Sequence, residues 1–566
     1  MPQETSPLLS RTISTDYTSG NDYNREETIT ILTSRSSASS ESDTPTLPPP
    51  SDDELLKKRL NGAPLYTILF GLWTAVVLSS LDSSIVAAVY PRIGTEFKKS
   101  NEIIWIATSY MLSYTALQPL YGRISDVFGR KSAVLFSSVV FFIGSLLCGM
   151  ANNLWALVIA RAVAGIGGGG INCMTTVIGS DLVPLRERGK IQGYGNIAYA
   201  VGSVVGAPLG GFLTDAFGWR SCFYINLPFL LLTLYVSTNL LTNYNLTEDQ
   251  KAESISQKLK KIDYAGAIII VLAVVSFVIA TSVGGNTKAW SDITVIGCLV
   301  ASIVLSILFC FVEAKIAPNP IMPWSIASSR TPFACSMTCF WSMMCNTALI
   351  YLTPLYFQTV LGFSPSTTGL YSLPKAAAAP FGSVLAGIYM SRTGEYKNLA
   401  IFSNFLSITS AIAYSTWSAE TSTALYITSP IFDGLSVGSL LVLVLIAMHS
   451  SVGSSDMAIV TSMSYLFRSI GAVVGISASS AIFQGVVKNV LVEKIQGPDA
   501  EFYIEIARKS MTEVRILLPD DILAIVIDAY QVAYQYTCYA CLGFSLFALI
   551  STLFIERYDL ATKTKK

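Results

Sequence analysis

Gly122-Arg123-Ile124-Ser125-Asp126-Val127-Phe128-Gly129-Arg130-Lys131 is a short charged stretch between two apolar runs, near residues 103–121 and 133–151. Each run is long enough, as a helix, to cross a hydrocarbon layer that needs about 20 residues. The glycines permit a tight turn. Asp126 is placed to interact with a helix N-terminus, and Arg130 to pair with an acid on a neighbouring helix. A charged turn between two spans describes a membrane hairpin.

Working outward from it, fourteen apolar segments are expected as transmembrane helices. They lie near 66–90, 103–121, 133–151, 154–178, 191–213, 222–241, 264–283, 293–312, 332–356, 367–390, 399–416, 424–448, 459–485 and 534–555. The fold class predicted is an all-α polytopic membrane bundle. Gly and Pro recur inside the spans, which is tolerated where neighbouring helices or a water-lined cavity satisfy the backbone.

Composition agrees. Of 566 residues, 52% are hydrophobic and 13% charged, against about 25% charged in a typical soluble domain. Lys+Arg and Asp+Glu both number 37, which excludes a strongly basic nucleic-acid binder and an acidic tail protein. His449 is the single histidine, so metal centres and hydrolytic triads built on histidine clusters are not expected. No cofactor is expected. The ten cysteines fall within or beside apolar runs and read as small apolar fillers. Cys538 and Cys541 have C-x-x-C spacing with no redox fold around them.

Residues 1–61 read as a disordered cytosolic tail, since residues 1–50 hold 19 Ser or Thr and no apolar periodicity. Within the tail, Glu4-Thr5-Ser6-Pro7-Leu8-Leu9 resembles the acidic dileucine sorting signals of endosomal, lysosomal and vacuolar membrane proteins. Glu4, Leu8 and Leu9 would meet a cytosolic sorting adaptor. Beyond the tail, the expected organisation is a six-helix half over 62–245, a linker with two extra helices over 246–330, a second six-helix half over 331–560, and a cytosolic tail at 561–566.

Basic residues in short loops set the orientation. With the N-terminus in the cytosol, cytosolic loops hold fourteen Lys or Arg and the opposite short loops five. Both termini are then cytosolic. The sequon Asn245-Leu246-Thr247 faces the cytosol and should not be glycosylated. The loop near 486–533 reads as a lumenal or external cap with some helix.

Five ionisable residues lie inside the proposed spans: Asp82, Arg161, Lys375, Asp433 and Arg468. Each costs about 2.5–3.5 kcal/mol to insert at a helix centre, so each is a candidate for proton or substrate binding, or for an internal ion pair that fixes packing. Lys375 is placed to partner Asp433, and for Asp82 the rival to a proton site is a fixed ion pair with Arg161, whose helix also begins on the lumenal side. Gly165-Ile166-Gly167-Gly168-Gly169-Gly170 is not a nucleotide loop, because no strand precedes it and it lies in a span. It reads as close helix packing, as do Gly206, Gly210 and Gly211 around Pro208, which can bend its helix.

The stretch from Gly122 to Lys131 resembles the G-x-x-x-D-x-x-G-R-K signature of the major facilitator superfamily. Asp181 to Gly189 resembles that family's loop between the fourth and fifth spans. The resemblance implies that Gly122, Asp126, Gly129, Arg130, Lys131, Asp181 and Arg188 latch the cytosolic gate. Leu81-Asp82-Ser83-Ser84-Ile85-Val86, Trp105 to Tyr110, Arg161 to Gly165, Gly218-Trp219-Arg220 and Ile225-Asn226-Leu227-Pro228 resemble the 14-span drug:proton antiporter group. Asn226 thereby joins the proton and substrate candidates. The antiporter motif of that group reads G-P-x-x-G-G. Here it is Gly206-Ala207-Pro208-Leu209-Gly210-Gly211, with the proline one place later. The likeness covers about 62–560 and implies twelve core spans in two halves plus two central ones.

Gln118 to Gly122, Gly206 to Gly211 and Arg468 to Gly471 are similar to fungal vacuolar basic amino acid permeases. That implies proton-driven movement of lysine, arginine and histidine into the vacuole by a monomer in contact with membrane lipid. A plasma-membrane multidrug or siderophore exporter of the same fold is the alternative, and a transporter-like nutrient sensor a third reading. Neither an enzyme nor an ATP-driven pump is expected, since no nucleophile and base pair and no G-x-x-x-x-G-K-[ST] motif is found.

Overall fold

A backbone in lipid must satisfy its own polar groups, so apolar runs of this length become helices. In the computed structural model, which describes residues 64–97, 104–284, 290–317, 320–496, 500–509, 518–558 and 560, a long helix occupies each of the fourteen segments. The first half holds α1 (Leu65–Phe97), α2 (Ile104–Phe128), α3 (Arg130–Met150), α4 (Leu154–Asp181), α5 (Arg188–Phe217) and α6 (Asn226–Asn239). Then come α7 (Tyr264–Val283) and α8 (Ile293–Lys315). The second half holds α9 (Arg330–Thr359), α10 (Pro365–Thr393), α11 (Lys397–Ser415), α12 (Thr423–Ser450), α13 (Met457–Lys494) and α14 (Asp520–Leu553). Glu4, Leu8, Leu9 and both terminal tails lie outside the described residues.

Ten of these helices, or eleven if the bent α5 counts as one span, are long and apolar enough to cross a membrane by length and composition alone. Helices α2, α10 and α11 fall short because their polar residues are used inside the bundle. In α11, Ser410 Oγ donates to Ser429 O at 2.8 Å and Asn404 Nδ2 to Thr552 Oγ1 at 3.0 Å. Polar groups that bond between helices lower hydropathy without facing lipid.

The two halves repeat one packing scheme. Helix α1 packs on α4, α5 and α6, while α4 also packs on α2 and α3, and α3 on α6. Adding eight to every label gives the second half: α9 on α12, α13 and α14, α12 on α10 and α11, and α11 on α14. The contacts between halves obey the same rule, with α5 on α10 matched by α13 on α2, and α5 on α12 by α13 on α4. Helices α7 and α8 form a hairpin beside this body, and α7 touches both α2 and α13.

Close approach carries the first half. A Cβ at Gly169 would lie 2.7 Å from Tyr114 O, and those at Gly167 and Gly170 would strike Phe141 and Tyr121. The glycine run therefore lets α4 lie flush against α2 and α3, as its sequence suggests. Gly206 does the same on α1, where a Cβ would meet Ser84 Oγ at 2.5 Å, and Gly210 sits 3.2 Å from Ile85 O by the same measure. Gly211 departs from expectation: a Cβ there meets nothing within 4 Å. Helix α5 bends by 44° where Pro208 begins its second segment.

Two further departures concern span limits. The sixth span is interrupted, with a short helix Ser221–Tyr224 before α6. The segment 486–533 is mostly not a loop: α13 runs on to Lys494, α14 begins at Asp520, and a helix Ala500–Lys509 lies between. Aromatic burial explains the extension. Tyr530 and Val526 pack with Trp417, Tyr426, Tyr356 and Phe483. Tyr530 Oη donates to Ala507 O at 2.6 Å, and Lys494 Nζ meets Asp528 Oδ2 at 2.5 Å.

Candidate functional site

Of the five ionisable residues expected to be costly in the membrane, four form two ion pairs, one fully buried and one with Lys375 partly exposed. Arg161 Nη1 on α4 donates to Asp82 Oδ2 on α1 at 2.5 Å, and Asn226 Nδ2 on α6 donates to Asp82 Oδ1 at 3.2 Å. The guanidinium of Arg161 lies 4.1 Å from the centre of the Tyr110 ring. Asp82 and Arg161 are each 1% exposed. In the second half, Lys375 Nζ on α10 lies 2.5 Å from Asp433 Oδ2 on α12 and 3.3 Å from Asn346 O. The pairing expected for Lys375 and Asp433 is present, and Arg161, Asp82 and Asn226 form one cluster.

Arg468 on α13 stands apart. Its Nη2 donates to Leu441 O at 2.7 Å and its guanidinium lies 5.2 Å from the Tyr465 ring. Among the described residues no carboxylate pairs with it, and its Nε has no hydrogen-bond partner. Arg468 lines a cavity of about 380 Å³ between the halves, walled by α1, α2, α4 and α5 on one side and by α9, α12 and α13 on the other. That size suits a small organic molecule. Trp73, Tyr110, Tyr114, Tyr199 and Tyr465 supply rings, while Gln118, Asn172, Gln192 and Asn196 supply amides. Asp82, Arg161, Asn226, Lys375 and Asp433 do not line it. Arg468 is the only one of the five charges that does.

The sequence reading missed the amides. Gln118 and Asn172 sit within apolar spans, and the same insertion-cost argument that flagged the charges applies to them more weakly. Ser469 Oγ donates to Gln118 Oε1 at 2.9 Å, and Asn172 Nδ2 donates to Ser79 Oγ at 2.9 Å. Glu313, one residue past the expected eighth span, is also buried and accepts from the backbone of Ile321 and Met322 at 3.1 Å each.

The charged turn folds as a cluster inside the first half. Arg130 Nε donates to Asp181 Oδ2 at 2.9 Å, and its Nη1 to Asp126 Oδ1 at 2.7 Å and Ser125 Oγ at 2.6 Å. Asp126 thus pairs with Arg130 rather than with a helix N-terminus. The α3 N-terminus is satisfied instead by Asn245 Oδ1, which accepts from Arg130 N at 3.0 Å, and Asn243 Oδ1, which accepts from Ser132 N at 3.2 Å. Asn245 belongs to the sequon. Gly129 has φ 95° and ψ 153°, a conformation that glycine alone adopts readily. Lys131 Nζ donates to Thr238 O at 2.5 Å. At Gly122 a Cβ would meet Ala458 O of α13 at 2.6 Å, which places this turn where the halves touch.

Hydrogen bonds across the halves gather at this same end. Arg186 donates to the carbonyls of Ser391 and Arg392, and Ser391 Oγ donates to Glu187 Oε1 at 3.0 Å. Arg188 Nη1 approaches Met457 Sδ at 2.9 Å, and Asn196 Nδ2 donates to Ser383 Oγ at 2.9 Å. Lys190 and Ser391 together hold the Glu187 carboxyl below its usual range, despite some desolvation. At the opposite end of the first half, Glu96 accepts from Arg220 at 2.8 Å and Trp219 at 2.6 Å. Lining residues away from the seam, Ser83, Met111 and Tyr199, are exposed. The cavity is closed by hydrogen bonds at the seam.

This arrangement has known counterparts. The Major Facilitator Superfamily profile matches residues 72–476. The chain is 36% identical to "Multidrug resistance protein fnx1" of Schizosaccharomyces pombe, over 86% of this chain and 90% of that one. It is 35% identical to "Vacuolar membrane amino acid uptake transporter fnx2" of the same yeast, over 87% and 84%. It is 28% identical to "Vacuolar basic amino acid transporter 1" of Saccharomyces cerevisiae, over 90% and 97%. The crystal structure of the human organic anion transporter MFSD10 (TETRAN) has the same fold, with a TM-score of 0.57 at 12% identity, covering 87% of this chain and all of that one.

Proposed function

The chain belongs to the major facilitator superfamily and is a multi-pass membrane transporter of small molecules rather than an enzyme; from that premise we propose that it moves lysine, arginine and histidine into the vacuole in exchange for protons. The observation that carries the proposal is the cavity between two halves sealed at one end. Breaking that seam while closing the opposite end exposes one site to each side in turn. The rings of Trp73, Tyr114 and Tyr199 offer π faces to an ammonium or guanidinium. Likeness to two vacuolar amino acid transporters supports the substrate class and the address.

In this reading the seam faces the cytosol, as do both termini. Glu4, Leu8 and Leu9 address the protein to the vacuolar membrane through a sorting adaptor. Asp82 and Asp433 are the proton sites, each charge held by a basic partner that a proton would release. The Asp126, Arg130 and Asp181 cluster governs the balance between conformations.

The test is uptake of radiolabelled lysine, arginine and histidine by vacuolar vesicles from cells with and without the protein. ATP-driven uptake that needs the protein and collapses with a protonophore is expected. Equal uptake in both preparations overturns the proposal. The likeness to a multidrug resistance protein, together with the aromatic lining, favours a second reading, export of drugs or siderophores at the plasma membrane. A tagged protein found only at the cell surface would promote it.

A further inference from the structure

We propose that Arg468 and Gln118 form a subsite for the carboxylate of the transported molecule, so that an amino acid is recognised by its backbone acid as well as by its basic side chain. The inference rests on the proposed function and specifies which end of the substrate is held where.

Charge balance is the first argument. Asp82 neutralises Arg161, and Asp433 neutralises Lys375, each across a contact of 2.5 Å. Arg468 is 8% exposed and has no such counter-ion among the described residues. A guanidinium cannot shed its proton to escape the cost of burial. Its charge is met by one carbonyl, from Leu441, by the Tyr465 ring and by the cavity, none of which carries a full negative charge. A carboxylate is the natural complement, because the planar guanidinium matches its geometry.

Hydrogen-bond inventory is the second argument. Gln118 is fully buried on α2 and lines the same cavity as Arg468. Ser469, the neighbour of Arg468, donates to the Gln118 carbonyl oxygen, which fixes the amide and leaves its Nε2 without a partner. Thr175 Oγ1 on α4 likewise lacks a partner. Three residues of the cavity wall, Arg468, Gln118 and Thr175, thus each carry a buried polar side-chain atom without a partner. Buried donors without acceptors are costly. An acceptor-only group that brings two oxygens relieves them.

The subsite spans both halves: Gln118 and Thr175 come from the first, Arg468 from the second. A carboxylate bound there ties the two together at mid-cavity, while the rest of the substrate reaches the ring-lined wall.

The experiment compares lysine with lysinamide and cadaverine as competitors of labelled lysine uptake in vesicles containing the wild-type protein. Lysinamide keeps both amines and loses the acid; cadaverine loses the carboxyl group altogether. Both are expected to compete at least about tenfold less well than lysine, the loss of one charge-assisted contact. Arg468→Gln is expected to raise KM for lysine by about tenfold or more and to abolish the discrimination against lysinamide, while Arg468→Lys keeps part of it. Gln118→Leu gives a smaller loss in the same direction. The competition on wild-type protein is independent of whether any variant folds. If lysinamide competes as well as lysine, the carboxylate subsite is wrong and the transporter reading stands. If none of lysine, arginine or histidine is taken up, both fail.

Discussion

Asp82 can be the group that accepts a proton or merely the anchor of Arg161. Its burial, its 2.5 Å contact with Arg161 and its bond from Asn226 make it an ion pair at rest. Removing one partner of a buried pair typically costs 3–5 kcal/mol, because the other charge is stranded. Asp82→Asn is expected to abolish proton-driven uptake, with Asp82→Glu keeping part of it. Pairing Asp82→Asn with Arg161→Gln should restore protein abundance without restoring uptake. Recovery of both would make the pair structural, and vesicle uptake beside vacuolar abundance decides. Glu187 gives the opposite expectation. Its carboxyl is held below the ordinary range, so its contribution to the seam is present above the unfolded pKa and lost only as pH falls through the lower folded value. Glu187→Gln should weaken the seam yet leave the pH profile near neutrality unchanged, which vesicle uptake between pH 6 and about 8 measures. At this scale the sequence revealed which residues are costly, since each charge breaks an apolar run. A fixed ion pair of Asp82 with Arg161 was one of two readings open in the sequence, and the pair is formed; that Asn226 joins it was not legible, because helix rotation is set by packing with neighbours. The amides stayed hidden because they interrupt hydropathy less than charges do.

The turn between α2 and α3 is the element whose chemistry was most legible. Arg130 pairs with an acid on a neighbouring helix, Asp181, as the turn suggests, whereas Asp126 pairs with Arg130 rather than with a helix N-terminus. The caps at Asn243 and Asn245 were not legible, because they arrive from more than 110 residues away in sequence. Gly129→Ala should destabilise this turn by roughly 1–3 kcal/mol, the cost of forcing a side chain into such a backbone conformation. The clash with Asn243 adds to it. Thermal denaturation of the solubilised protein reads the loss. Asp126→Asn is expected to slow uptake of lysine, arginine and histidine by a common factor, because the cluster lies in the turn and not in the cavity wall. A selective loss of one substrate would give the turn a role in recognition. Helix positions were readable because apolar runs fix them. Helix ends were not, since the extensions of α13 and α14 depend on aromatic packing with Trp417 and Tyr426.

The twelve core helices form two copies of one packing scheme that meet along α2, α4, α5, α10, α12 and α13, with the α7–α8 hairpin beside them. The two-half plan could be expected from the sequence likeness, but the state could not: the seam at Arg186, Glu187, Ser391 and Arg392 is tertiary information. Linking Arg186→Cys to Ser391→Cys with a short bifunctional thiol reagent, in a background where exposed Cys310 is replaced, should arrest uptake. Reversal by cleaving the linker would show that the seam must part in each cycle; unchanged uptake in linked protein would show that it need not.

The uncompensated guanidinium also has an electrical consequence. With the two ion pairs summing to zero, the five charges that interrupt the apolar runs leave one net positive charge, that of Arg468. A full charge traversing the bilayer field exchanges about 2.3 kcal/mol per 100 mV. The shift of the halves with the cavity vacant drags Arg468 through some fraction of that field, whereas a bound carboxylate cancels its charge. Within the proposed cycle, Arg468's own share of the voltage dependence is therefore largest when the subsite holds no carboxylate, beside the charge carried by the protons and by the amines of the substrate.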